Sequence, residues 1–157
     1  MILPVNKAEM TTDFVAVLEY KMIRTRALHK ELRHILDTEY VAGMAYDQKS
    51  LKKLILRKRN YVNRFEHLIR SMGEHLDMMT DRDVPSTMLR TLANRIKMIQ
   101  GLPPEKEEVL FALANDLEQK HQELMKAARR NGLMFKSVLS RLSVTSKYVN
   151  HSNMRIP

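Results

Sequence analysis

The chain reads as all-α. Three observations predict this: apolar residues step by three or four along nearly its whole length, only four glycines and five prolines interrupt 157 residues, and one abrupt break falls between Gly43 and Asp47. The predicted architecture is a single helical domain over residues 1–157. Two long helices form an elongated antiparallel hairpin, and a third long C-terminal helix completes a three-helix, coiled-coil-like bundle. A short extra helix sits in the connection.

The first helix is predicted over 10–43, where Phe14, Leu18, Met22, Leu28, Leu32 and Ile35 keep the helical period. Gly43 is expected to close it, because a residue without Cβ adopts positive φ at no steric cost. Asp47 is the expected cap of the second helix, 48–79, which carries Leu51, Leu54, Ile55, Tyr61, Val62, Phe65, Leu68, Ile69, Met72 and Leu76. Each of these runs covers roughly 30 residues and spans on the order of 45 Å. The polar stretch from Thr80 to Pro85 then opens a linker. Ser86 is placed as N-cap of a short helix over 86–99 that carries Met88, Leu89, Leu92, Ile96 and Ile99 and ends before Gly101. Pro104 with Glu105, Glu107 and Glu108 marks the start of the last long helix, 104–143, since carboxylates favour the free amides of a first turn. Residues 144–157 are expected to form a flexible tail.

Composition narrows the function classes. Aromatic residues make up 6% of the chain and tryptophan is absent, so the bundle core is a narrow aliphatic seam with little volume for a buried ligand. Without cysteine there are neither disulfides nor thiolate metal sites. The segment MILPVNKAEM lacks the apolar core and small-residue cleavage site of a signal peptide, and no window is apolar for long enough to span a membrane. A cytoplasmic protein is the expectation.

Charge is distributed unevenly within a net +9. Between Gln48 and Phe65 stand Lys49, Lys52, Lys53, Arg57, Lys58, Arg59 and Arg64 with no acid, and from Leu124 onward stand Lys126, Arg129, Arg130, Lys136, Arg141, Lys147 and Arg155, again with no acid. Such faces either solvate long helices or attract phosphates or an acidic protein surface. The lack of aromatic stacking platforms and of a recognition module argues against nucleic acid. A basic helical adaptor binding nucleic acid or an acidic protein surface is therefore the alternative reading.

Catalytic and metal chemistry find little support. Glu31 with His34, and Glu118 with His121, have the Glu-x-x-His spacing of di-iron bundles, whose ligands point inward. At about 100° per residue, His34 lies roughly 120° from the Leu28, Leu32 and Ile35 stripe, and Glu118 about 100° from Leu117. Neither motif faces a shared seam. His29, His67, His75 and His151 have no partner at ligand spacing, and no nucleophile triad or phosphate-binding loop is present. No enzyme activity, cofactor or metal is expected.

Glu39, Ala42, Asp47, Leu51, Leu54 and Lys58 stand in the pattern E-x-x-A-x-x-x-x-D-x-x-x-L-x-x-L-x-x-x-K, with Leu28, Leu32 and Leu36 before it and Phe65 and Glu66 after it. This resembles the first hairpin of the FlgN family of flagellar type III export chaperones. A second likeness is the Asn131, Gly132, Leu133, Met134 step, which in that family interrupts the last helix before the client-binding segment. The resemblance implies a cytoplasmic chaperone without enzyme activity that holds the hook-filament junction proteins FlgK and FlgL and passes them to the export gate component FlhA. It implies client binding through Leu133, Met134, Phe135, Val138, Leu139 and Leu142, which fill more than one stripe of a helix. Twelve methionines suit an adaptable contact surface, although Met22, Met72, Met88 and Met125 sit where ordinary core fillers are expected. Tyr148 stands where the family carries its gate-contacting tyrosine, but the two glycines of that setting are missing here, and the chain is basic where export chaperones are commonly acidic. An exposed C-terminal stripe is expected to pair with its own copy when no client is bound. Within this reading the hinge is scaffold, with Asp47 as a cap and Lys58 as a solvated flank.

Overall fold

A computed structural model describes residues 7–79, 91–99 and 101–153. It contains α1 (Lys7–Met44), α2 (Gln48–Met79), α3 (Leu92–Lys97) and α4 (Pro104–Asn153). The fold is an all-α bundle of long helices with one short extra helix.

Helix α1 is the spine on which the other long helices pack. Helix α2 runs antiparallel to it, as His75 Nε2 bonding Phe14 O at 2.7 Å and Arg57 pairing with Glu31 at 3.5 Å require. Helix α4 runs parallel to α1, with Lys106 beside Glu19, Arg33 donating to Glu123 O and Arg130 beside Asp37. Short α3 fills the cleft between α2 and α4 at the end far from the hinge. There Ala93, Ile96 and Ile99 join a core of Val15, Leu18, Met22, Met72, Leu76, Leu110, Ala114 and Leu117. Arg95 fixes α3 onto α2 by donating to Gly73 O at 3.1 Å and pairing with Asp77.

The hinge departs from the glycine-closed turn that the sequence predicts. Helix α1 continues through Gly43 to Met44, and the positive φ falls on Tyr46, at 55°. Asp47 N donates to Ala42 O at 2.9 Å and Tyr46 N to Gly43 O at 3.1 Å, the paired bonds of a Schellman motif with Tyr46 in its left-handed position. Gly43 has a different role: a Cβ there would collide with the Sδ and Cε of Met134, so the missing side chain lets α4 press against α1. Asp47 caps α2 as expected, its carboxylate accepting from Ser50 N at 3.0 Å and from the Ser50 hydroxyl at 2.6 Å. Those bonds hold its pKa below the usual carboxylate range.

Three further boundaries differ from the sequence reading. Helix α3 begins at Leu92 with Thr91 as its N-cap, the Thr91 hydroxyl accepting from Asn94 N at 3.2 Å; Ser86 and Met88 lie outside the described residues. Helix α4 does not break at Asn131-Gly132, because the Asn131 side chain is held by bonds it donates across to Leu36 O and Glu39 of α1 and Gly132 keeps helical geometry. It also continues through residues 144–153, where Ser, Thr and Val lower helix propensity without ending a helix already nucleated; residues 154–157 lie outside the described residues. Since Met134 packs at Gly43, α4 passes the hairpin tip near Val138, and its last 15 residues or so extend about 22 Å farther.

Candidate functional site: a polar clamp beside an open helical groove

At the hinge end, one polar residue from each long helix occupies a position on the apolar seam. Glu39 follows Leu32 and Leu36 on α1, Lys58 follows Leu51 and Leu54 on α2, and Asn131 follows Leu124 and Ala127 on α4. Packing brings the three together. Glu39 is 0% exposed; its carboxylate takes a 2.5 Å bond from Lys58 Nζ and a 3.2 Å bond from Asn131 Nδ2. Asn131 Nδ2 also donates to Leu36 O at 2.7 Å, while Asn131 Oδ1 accepts from Arg130 at 3.1 Å.

Around this centre Arg130 donates to Asp37 at 2.9 Å and lies 4.4 Å from the Tyr40 ring, and Arg33 holds Asp37 from the other side at 3.1 Å. Partial burial raises the Asp37 pKa, but the hydrogen bonds from Arg130 and Arg33 outweigh it and leave the carboxyl below its ordinary value. A buried polar cluster of this kind fixes helix register, because sliding any helix by one turn strands a charge in the seam. Lys58 is thus a buried anion's partner and not the solvated flank that the sequence reading makes it.

Between α2 and α4 the seam is incompletely closed. Beside α3 lies a cleft of about 540 Å³. It continues past Phe65 and His121 into a groove of about 380 Å³ whose floor is Leu32, Leu36 and Glu39 of α1 and whose walls are Val62 and Phe65 of α2 and Leu124, Ala128, Gly132 and Phe135 of α4. Met125, expected to fill core, is 43% exposed on the α4 wall because it lies one residue off the buried Leu124 stripe.

His29 lies beneath the junction of cleft and groove, its ring 4.7 Å from Phe65 and 5.8 Å from His121 between centroids. Neither ring nitrogen makes a well-formed hydrogen bond. Burial first, and then the charge of His121, push its pKa from 6.5 down to about 4, against the opposing pull of the Thr25 carbonyl one turn back. The folded protein therefore keeps His29 neutral where the unfolded chain takes up a proton. Its contribution to stability is complete above pH 6.5 and is lost as pH falls toward 4. His29→Leu is expected to flatten that part of the pH dependence of the urea midpoint, and an unchanged slope would refute it.

The six residues of the expected client-binding set do not share a face. Met134 is 5% exposed beneath Gly43, whereas Leu133, about 100° around α4, is 69% exposed. Phe135 and Val138 are half-buried at the groove end, and Leu139 and Leu142 are exposed beyond the hairpin tip. Tyr148 lies in the helical span of α4, but its side chain is outside the described ones. Of the Glu-x-x-His residues, His34 is exposed, Glu31 pairs with Arg57, and Glu118 accepts from Ala93 N at 3.4 Å. No group of three or more His, Asp or Glu placed to hold a metal occurs among the described residues.

Fold and site together define a three-helix bundle with a polar register clamp and a half-open apolar groove. Compared with known proteins, the chain matches no family model, no curated protein and no solved structure. The sequence reading missed the clamp, although one signal was available: Glu39, Lys58 and Asn131 each fall in phase with apolar neighbours. It had no signal for the groove, which depends on how far apart α2 and α4 stand.

Proposed function

We propose that this chain is an export chaperone of the FlgN type, working in the cytoplasm, that holds the C-terminal amphipathic segments of the junction proteins FlgK and FlgL and hands them to the export gate component FlhA. One observation carries the reading: α4 outruns the hairpin and leaves Leu139 and Leu142 exposed on a stretch of helix that is basic from Leu124 onward. An exposed apolar stripe at helical spacing is what an amphipathic client helix recognises. The reading assigns no catalytic residue and no cofactor. Tyr148 is its candidate gate contact, and pairing of two client-free copies through the α4 stripe is its expected resting state.

Calorimetric titration with the C-terminal segments of FlgK and FlgL is expected to give a complex of about one to one. Absence of binding to both would overturn the proposal. The adaptor reading retains one observation in its favour, the exposed Lys49, Lys52, Lys53, Arg57, Arg59 and Arg64 of α2. The tyrosine in that stretch, Tyr61, is engaged by Arg57 and Arg64 at 5.7 and 5.3 Å, so an acidic protein surface suits it better than stacked bases.

A further inference from the structure

Helix α3 occupies only part of the channel between α2 and α4. Its six residues begin near Glu118 and bury Ala93 and Ile96, with Ile99 following just beyond its end, and hingeward of Phe65 and His121 the same channel is an open groove. The intramolecular packing therefore already demonstrates what this channel accepts: a helix with an apolar stripe. Along the open part, α2 buries no residue fully, since Leu51, Leu54, Val62 and Phe65 are only half-covered. Between Leu124 and Phe135 the groove wall on α4 includes two small residues, Ala128 and Gly132, and a Cβ built on Gly132 meets nothing within 4 Å among the described residues.

The rims supply the sign of the partner. Stepping about 100° per residue from Val62, Arg59 and Lys52 lie roughly 60° and 80° toward the open side of α2. From Leu124, Lys136 and Arg129 lie roughly 120° and 140° toward the open side of α4. All four are exposed; the one acid on the same side of α2 nearby, exposed Glu66, stands next to Phe65 at the α3 end of the groove, and the α4 stretch from Leu124 onward contains none. A second copy of this chain would bring its own basic flanks, and duplex nucleic acid has no apolar stripe to fill the floor.

We infer that the open groove between α2 and α4 is a docking site for an acidic amphipathic helix, which continues the line of α3 toward the hinge and meets Arg59 and Lys52 on one rim and Arg129 and Lys136 on the other. The owner of that helix rests on the chaperone reading, which makes it the client; the groove and the sign of its charge do not. The α4 wall leads on through Phe135 to Leu139 and Leu142, so a longer client helix follows the same stripe onto the overhang.

The test uses the full chain and a fluorescent designed peptide of about five helical turns, with leucines at helical spacing flanked by glutamates. Ala128→Glu and Gly132→Glu place carboxylates in the groove at exposed helical positions, and circular dichroism with thermal melting verifies that each variant keeps its fold. Each is expected to weaken binding at least about tenfold, as is replacing the peptide's glutamates by lysines. Leu139→Ser on the overhang is expected to weaken it less. Groove variants that bind like the parent, equal affinity for the acidic and basic peptides, or displacement of the peptide by duplex DNA would overturn the inference. A dimer of the free chain that Gly132→Glu dissociates would also overturn it, by assigning the groove to a second copy. Failure of FlgK and FlgL segments while the acidic peptide binds would reject the client identity and leave the groove standing; the converse result rejects the groove alone.

Discussion

Replacing Lys58 with methionine is expected to destabilise the protein by about 3 kcal/mol, the scale for stripping the partner from a buried charge. The Glu39 carboxylate would remain in a position of 0% exposure with a single 3.2 Å bond from Asn131. Methionine keeps the aliphatic bulk of lysine against the α1 seam, so the loss reports on charge and not on packing. Adding Glu39→Gln to that variant is expected to recover most of the loss, because the amide keeps an acceptor for Asn131 and carries no charge to desolvate. Urea unfolding of the two variants and the parent decides the matter. A Lys58→Met loss below about 1 kcal/mol would mean that the pair behaves as an exposed surface ion pair.

Ile96→Ala is the second substitution with a large expected effect, also about 3 kcal/mol in the range for deleting a buried aliphatic side chain. Ile96 is fully buried in the core between α2 and α4. Six residues are too few to hold a helix on their own, so α3 exists because its Ala93 and Ile96, and Ile99 just past its end, are buried. The variant should therefore lose amide protection across α3 before the long helices open, which hydrogen exchange can resolve. A uniform loss of protection across all four helices would show that α3 is an integral part of the cooperative unit.

Much of the fold was legible because its determinants are local. The starts of α2 and α4 follow from Asp47 capping a first turn and from Pro104 followed by three glutamates in five residues. The long apolar periods carried the helices between those points. Less was legible at ends decided by distant contacts. Gly43 looked like a helix terminator, yet its missing Cβ serves the approach of Met134 from a residue 91 positions later in the chain. Tyr46 took the left-handed conformation because the two Schellman bonds and the onward course of α2 required it there. The clamp and the groove were not legible; within the expected client-binding set Phe135, Leu139 and Leu142 share one stripe of α4, whereas Met134 and Leu133 were separated by which side of that helix meets α1.

The sequence by itself determined that this chain is a set of long amphipathic helices with basic faces and a capped hinge, since helical period, caps and charge are properties of residues a few positions apart. Only the tertiary structure decided that α4 lies parallel to α1, that Glu39, Lys58 and Asn131 meet in one buried cluster, and that the channel lined by α3 stays open toward the hinge. Those outcomes depend on which faces meet and how closely, and the spacing between two helices is set by the side chains of both, at sequence separations that no local pattern encodes.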